Sequence, residues 1–146
     1  MKRIVSIDPA WGITVVRIST GLIFVVHGVQ KFAAGLGGVS AFFAKVGIPA
    51  PGVMGPFVAI LELVGGVLLI VGLATRWVGL LFAIEMLVTT LWVQLPSRGW
   101  TASDLDRALL ASSLLLVLAG GGRASVDAIW LEKDEQSEAR RSSLTL

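Results

Sequence analysis

Apolar residues fill the chain in four long runs, at about 11–31, 53–74, 77–95 and 103–120, each closed by a polar or glycine-rich break. Every run is close to the ~20 residues with which an apolar α-helix crosses a bilayer. Asp8-Pro9 is a helix start for the first run, with Asp8 as N-cap and Pro9 in the first turn. Ser103-Asp104-Leu105-Asp106 opens the fourth, because carboxylates favour the positive end of a helix dipole. Gly120-Gly121-Gly122 stops that helix. Thr75-Arg76 makes so tight a connection that the second and third runs return antiparallel. The break at 32–52 contains Gly35, Gly37, Gly38, Gly47, Pro49, Pro51 and Gly52, which is dense turn chemistry. Within it, 39–46 is too short to span and reads as a half-buried amphipathic helix against the outer surface. The pattern predicts an all-α fold: an antiparallel bundle of four transmembrane helices over residues 1–130, with that short helix in the first outer loop. A short interfacial helix is expected at 125–130, and a charged, serine-rich, disordered tail over 131–146.

The polar positions inside the runs carry the next signal. Arg17, Thr20, Phe24, His27 and Lys31 recur at intervals of three and four, so they form one stripe of the first helix, with Gly21 and Gly28 beside it. In the second run Gly55, Glu62, Gly65, Gly66 and Leu69 share a face. In the third, Glu85 is grouped with Leu81, Thr89 and Trp92. At 1.5 Å per residue from the side of the termini, Arg17 lies about 9 Å deep, Glu85 about 12 Å, Glu62 about 18 Å and His27 about 24 Å. Lys31 falls near the far boundary. Charge at the membrane centre costs at least about 2.5–3.5 kcal/mol per residue, so these groups face inward. Depth matching pairs Arg17 with Glu85 and His27 with Glu62, and offers Asp104 or Asp106 to Lys31. Such pairs either hold the bundle together or line a polar cavity for a ligand or a proton path. The glycines at 65, 66 and 72 read as helix contacts rather than a nucleotide loop.

Composition settles the class. Of 146 residues, 55% are hydrophobic and 15% charged, with a mean hydropathy of +0.84. A soluble domain of this size has too little interior to hide that much apolar surface. The formal charge of +2 comes from basic residues scattered at helix ends, which argues against nucleic-acid binding. Lys2, Arg3, Arg76, Arg123, Lys133, Arg140 and Arg141 fall on one side of the predicted bundle. Lys31, Lys45, Arg98 and Arg107 fall on the other, so the termini are expected in the cytoplasm. The first run reads as a retained span rather than a cleaved leader. With no cysteine and a single histidine, the chain cannot supply thiolate ligands, a dithiol relay or a bis-histidine haem site. No flavin motif is visible and no metal site is expected.

Several motifs then fall into a recognisable order: Arg17 with His27-Gly-Val-Gln-Lys31, Gly47-Ile-Pro49, Glu62-Leu-Val-Gly65-Gly66, Gly72-Leu-Ala-Thr75-Arg76, and Gly120-Gly-Gly-Arg-Ala-Ser125-Val-Asp127. Over roughly residues 11–130 the chain resembles the DoxX family of four-helix integral proteins of bacterial inner membranes. That resemblance implies a subunit of a redox complex, since some relatives belong to thiosulfate:quinone oxidoreductase. Another joins a superoxide dismutase to a thiosulfate sulfurtransferase. The expectation is a membrane subunit of a quinone-linked or oxidative-stress complex, not catalytic alone. Quinone is its cofactor, and Arg17, His27, Lys31, Glu62 and Glu85 form the binding site and proton path. Two other readings stand beside it: a non-enzymatic anchor for peripheral redox enzymes, using the tail and the 75–76 turn, and a small-molecule transporter. Expected partners are the lipid bilayer, peripheral redox subunits and a second copy of the chain, with no nucleic acid.

Overall fold

The computed structural model describes residues 8–100 and 103–143; Lys2 and Arg3, counted above for orientation, lie outside them. All regular structure in the described residues is helical. Helix α1 is Pro9–Ala34, α2 is Leu36–Lys45, α3 is Pro51–Val71, α4 is Thr75–Ser97, α5 is Asp104–Ala119 and α6 is Val126–Ser143. Three of them, α1, α3 and α4, are long and apolar enough to cross a membrane. Helix α5 has 16 residues.

The sequence signals for the helix ends act as expected at α1. The Asp8 carboxylate accepts the Ala10 N–H at 2.9 Å, and Pro9 occupies the first helical position. At the other end Gly35, with φ +86°, turns the chain directly into α2. The connection between α3 and α4 is made by Gly72 (φ +76°) and by Ala74, a non-glycine in the left-handed region at φ +52°. Gly120 (φ +79°) ends α5.

Glycine sets how closely the helices approach. A Cβ on Gly21 would lie 2.8 Å from the Gly66 carbonyl oxygen, and one on Gly28 would lie 2.6 Å from the Leu63 nitrogen. Helices α1 and α3 therefore pack backbone to backbone, as small residues permit in membranes. Gly55 gives the same close approach of α3 to Ser40 on α2. Gly79 meets Ser113 and holds α4 to α5. Across the middle, Phe24 and Phe82 stack with centroids 3.6 Å apart in a core with Leu69, Val78, Met86, Leu109 and Leu116.

Three expectations need correction. The inward face of α4 is Val78, Gly79, Phe82, Ala83, Met86 and Thr90, whereas Leu81 and Trp92 are exposed. A π-helical turn over Thr89–Gln94 changes the register and carries Trp92 off the face extrapolated from Glu85, while Leu81 is exposed because Glu85 itself stands half-buried at the edge of the inward face. The polar break after the third run begins later than residue 95, because α4 continues as helix through Ser97. Finally, α6 runs unbroken to Ser143 where a disordered tail was expected from residue 131. Its Glu, Lys, Gln, Ala and Arg content is polar, but these are also good helix formers.

Candidate functional site

The ionisable residues inside the bundle separate into two groups. The first joins three helices in the half near Lys45. Lys31 on α1 donates through Nζ to Glu62 Oε2 on α3 at 2.5 Å; the Lys31 side chain is 26% exposed and that of Glu62 only 3%. The Glu85 carboxyl of α4 lies against that of Glu62, within hydrogen-bonding reach, and feels Lys31 and Asp106 through space. Glu85 Oε2 is buried with no hydrogen-bond partner. Lys31, Glu62 and Glu85 thus bring one ammonium and two carboxyl groups together from α1, α3 and α4, and Asp106 of α5 acts on Glu85 through space.

Local structure explains how they meet. Glu62 sits in a π-helical turn, Leu61–Gly65, and such turns re-aim side chains within a helix. The Gly28–Leu63 contact fixes the height at which α1 crosses α3. Lys31 stands one turn beyond that crossing. Helical side chains lean back toward the helix N-terminus, so its long stem returns the ammonium to the level of Glu62. That is why the expected His27–Glu62 pair is not formed. His27 is half-buried beside Gly28 and makes no hydrogen bond or ion pair among the described residues. Asp104 pairs with Arg107 instead of Lys31. The other candidate, Asp106, acts through space on Glu85.

The second group lies at the opposite end. Arg17, 1% exposed, donates through Nη2 to the Ala124 carbonyl at 2.6 Å and feels the Asp127 carboxylate through space. The expected Arg17–Glu85 pair is therefore absent: the stacked Phe24 and Phe82 rings lie between the two residues along their helices. Around Arg17 the segment after α5 folds back as a strap. The Arg123 N–H reaches the Ala10 carbonyl, and the Asp127 N–H reaches the Gly72 carbonyl. Both Asp127 carboxylate oxygens accept backbone N–H groups, Ala74 and Thr75, at 2.8 Å each. They complete the left-handed turn into α4. Gly72 cannot carry a side chain, since a Cβ would fall 1.5 Å from Arg17 Nη1. Composition gave no sign of this strap, although the motif Ser125-Val-Asp127 marked its residues.

The DoxX family profile matches residues 12–95, a stretch that holds Arg17, His27, Lys31, Glu62 and Glu85. The chain is 39% identical over 116 residues to a Bacillus subtilis protein named "Putative oxidoreductase CatD", covering 80% of this chain and 84% of that protein. It is 30% identical over 123 residues to an uncharacterized protein of Haemophilus influenzae, covering 80% of this chain and 89% of that one. With an uncharacterized membrane protein of Mycobacterium tuberculosis it shares 29% identity over 125 residues, 77% of each chain. No solved structure matches the chain at a significant level.

Proposed function

The chain belongs to the DoxX family of membrane proteins, and from that premise we propose that it is the membrane subunit of a quinone-linked redox complex. One observation carries the reading: a lysine and two carboxyl groups from three separate helices meet inside an apolar bundle. An ion pair serving only as glue needs two residues. Here Glu85 adds a third group whose Oε2 is buried and unpartnered, and so available to a polar ligand. The donor set fits a quinone head group, whose two carbonyl oxygens need hydrogen-bond donors. A bound quinone would supply two-electron, two-proton chemistry. Lys31 would orient one carbonyl by donating to it, while Glu62 and Glu85 would hold and hand over protons. His27, one turn from Lys31 on α1, would flank the same space. Electrons would come from a partner subunit, because the chain has no cysteine and one histidine. The name of the Bacillus subtilis relative agrees with redox work.

In this reading α5 is a fourth span. At 1.5 Å per residue its 16 residues reach about 24 Å, slightly short of the core, a mismatch that local thinning accommodates. Helix α2 would lie along the outer surface of a bacterial inner membrane, with both termini in the cytoplasm. The exposed Ile129, Trp130 and Leu131 at the start of α6 favour a second role for that end, as the landing place of the peripheral redox partner.

The test is quinone-dependent stabilisation of the purified protein in detergent. A ligand at 100 times its Kd adds about 2.7 kcal/mol, which raises the melting temperature of the wild type. Glu62→Gln and Glu85→Gln should lose that gain while retaining a cooperative melt. A wild type that yields no quinone on solvent extraction, and whose melt quinone does not shift, overturns the proposal.

A further inference from the structure

The two polar groups stand at opposite ends of the bundle, and between them lies a layer of buried apolar side chains, with the buried hydroxyl residues Thr20 and Ser113 beside it. Along α1, Phe24 lies midway between Arg17 and Lys31, about 10 Å from each at 1.5 Å per residue. Phe24, Leu69, Phe82 and Leu116 come one from each of α1, α3, α4 and α5, and all four are 0% exposed. The Phe24 and Phe82 rings stack nearly parallel at 6°. Gly65 lets the Phe82 ring tip approach the α3 backbone, since a Cβ there would meet Phe82 Cζ at 2.9 Å. Leu109, Val78 and Met86 belong to the same buried core as the rings.

The half near Lys45 is different. Exposure of the ion pair rises from 3% at Glu62 to 26% at Lys31. Asp106 lies in the first turn of α5, half-buried, and bears on Glu85 electrostatically. Next to it Arg107 lies over the Trp100 ring, 3.9 Å from its centroid, and its side chain is 26% exposed. Polar groups therefore step from the buried carboxyls to the surface on one side only.

We infer that the Lys31–Glu62–Glu85 site exchanges protons and polar ligands only with the face that carries Asp106 and Lys45. Asp106 is its outermost carboxylate, and the Phe24–Phe82 layer seals it from the face that carries the strap and α6. Arg17 then belongs to the strap and not to the proton path. The inference rests on reading Lys31, Glu62 and Glu85 as a ligand site, and it gives that site a direction. A redox step there would take up or release its protons on one side of the membrane.

The chain has no cysteine, so introduced cysteines report alone. A membrane-impermeant, charged methanethiosulfonate is applied to spheroplasts and, separately, to inverted vesicles. Lys45→Cys and Gln136→Cys identify the two faces. Asp106→Cys should react at least tenfold faster from the Lys45 face, while Thr20→Cys should be inert from that face. Adding Phe82→Ala to Thr20→Cys should open it to the reagent from the Lys45 side. Lys31→Cys reports the same opening should Asp106→Cys fail to fold. Comparable reaction of Asp106→Cys or Lys31→Cys from the α6 face overturns the inference. So does Thr20→Cys reacting from the Lys45 face with both rings in place, or a folded Asp106→Cys that is inert from both faces. No quinone is needed, so these outcomes are independent of whether quinone stabilises the protein.

Discussion

Without the Lys31 ammonium, the Glu62 carboxylate, 3% exposed, would lose the one ion-pair partner it has among the described residues. Breaking a buried pair from one side costs more than replacing both partners, because the surviving charge stays desolvated. Lys31→Met should therefore destabilise the protein by about 3 kcal/mol, whereas Lys31→Met combined with Glu62→Leu should recover much of that loss. Thermal unfolding of the two single variants and the double one closes the cycle; a double variant no better than the worse single would contradict a direct pair. The sequence made it plain that Arg17, Lys31, Glu62 and Glu85 face inward, since charge on an apolar helix has nowhere else to go. Which of them meet was not legible. Depth arithmetic places each charge at its own Cα, but the Lys31 stem reaches back a full turn. It also treats all helix axes as equally close, whereas Gly21, Gly28 and Gly66 bring α1 and α3 together at particular heights.

Helices α1 and α3 owe their contact to what is missing from Gly21, Gly28 and Gly66. Alanine at position 28 gains helix propensity, worth up to about 1 kcal/mol, but its Cβ would sit 2.6 Å from the Leu63 nitrogen and 2.8 Å from its Cα. Backbone atoms cannot step aside, so overpacking outweighs propensity and Gly28→Ala should cost about 1–3 kcal/mol. Gly12→Ala is the control: nothing lies within 4 Å of its Cβ, and the same melt should be unchanged or slightly raised. Face assignment from period 3.6 worked on α3, where Gly55, Glu62, Gly65, Gly66 and Leu69 are all buried. It failed on α4, where Trp92 points outward and donates its indole N–H to the Val46 carbonyl. A π-helical turn has no compositional signature, so the register change at Thr89–Gln94 could not be read from residue types.

At the scale of the molecule, the end of the bundle opposite the site is closed by the strap between α5 and α6. Asp127 holds it by accepting two backbone N–H groups of the α4 entry while its own N–H binds Gly72. Asp127→Ala removes both acceptors and leaves the left-handed Ala74 unsupported. The expected cost is about 1–2 kcal/mol, with faster proteolysis after Arg123 in limited trypsin digestion. Unchanged cleavage there would show that the strap is held by other contacts. The helical bundle was legible because hydropathy and turn chemistry are local properties. The strap was not, because its bonds join residues more than 50 positions apart.

The bond from Arg17 to Ala124 spans 107 residues, which has a consequence for how the protein is made. At translation rates of 5–20 residues per second, Arg17 is synthesised roughly 5–20 s before its partner. For that interval the first span carries a cation without its Ala124 partner, at a cost no greater than that of a central position, about 2.5–3.5 kcal/mol. The strap is thus the last part of the bundle to be made, and the Arg17–Ala124 bond closes only after residue 124 has been synthesised.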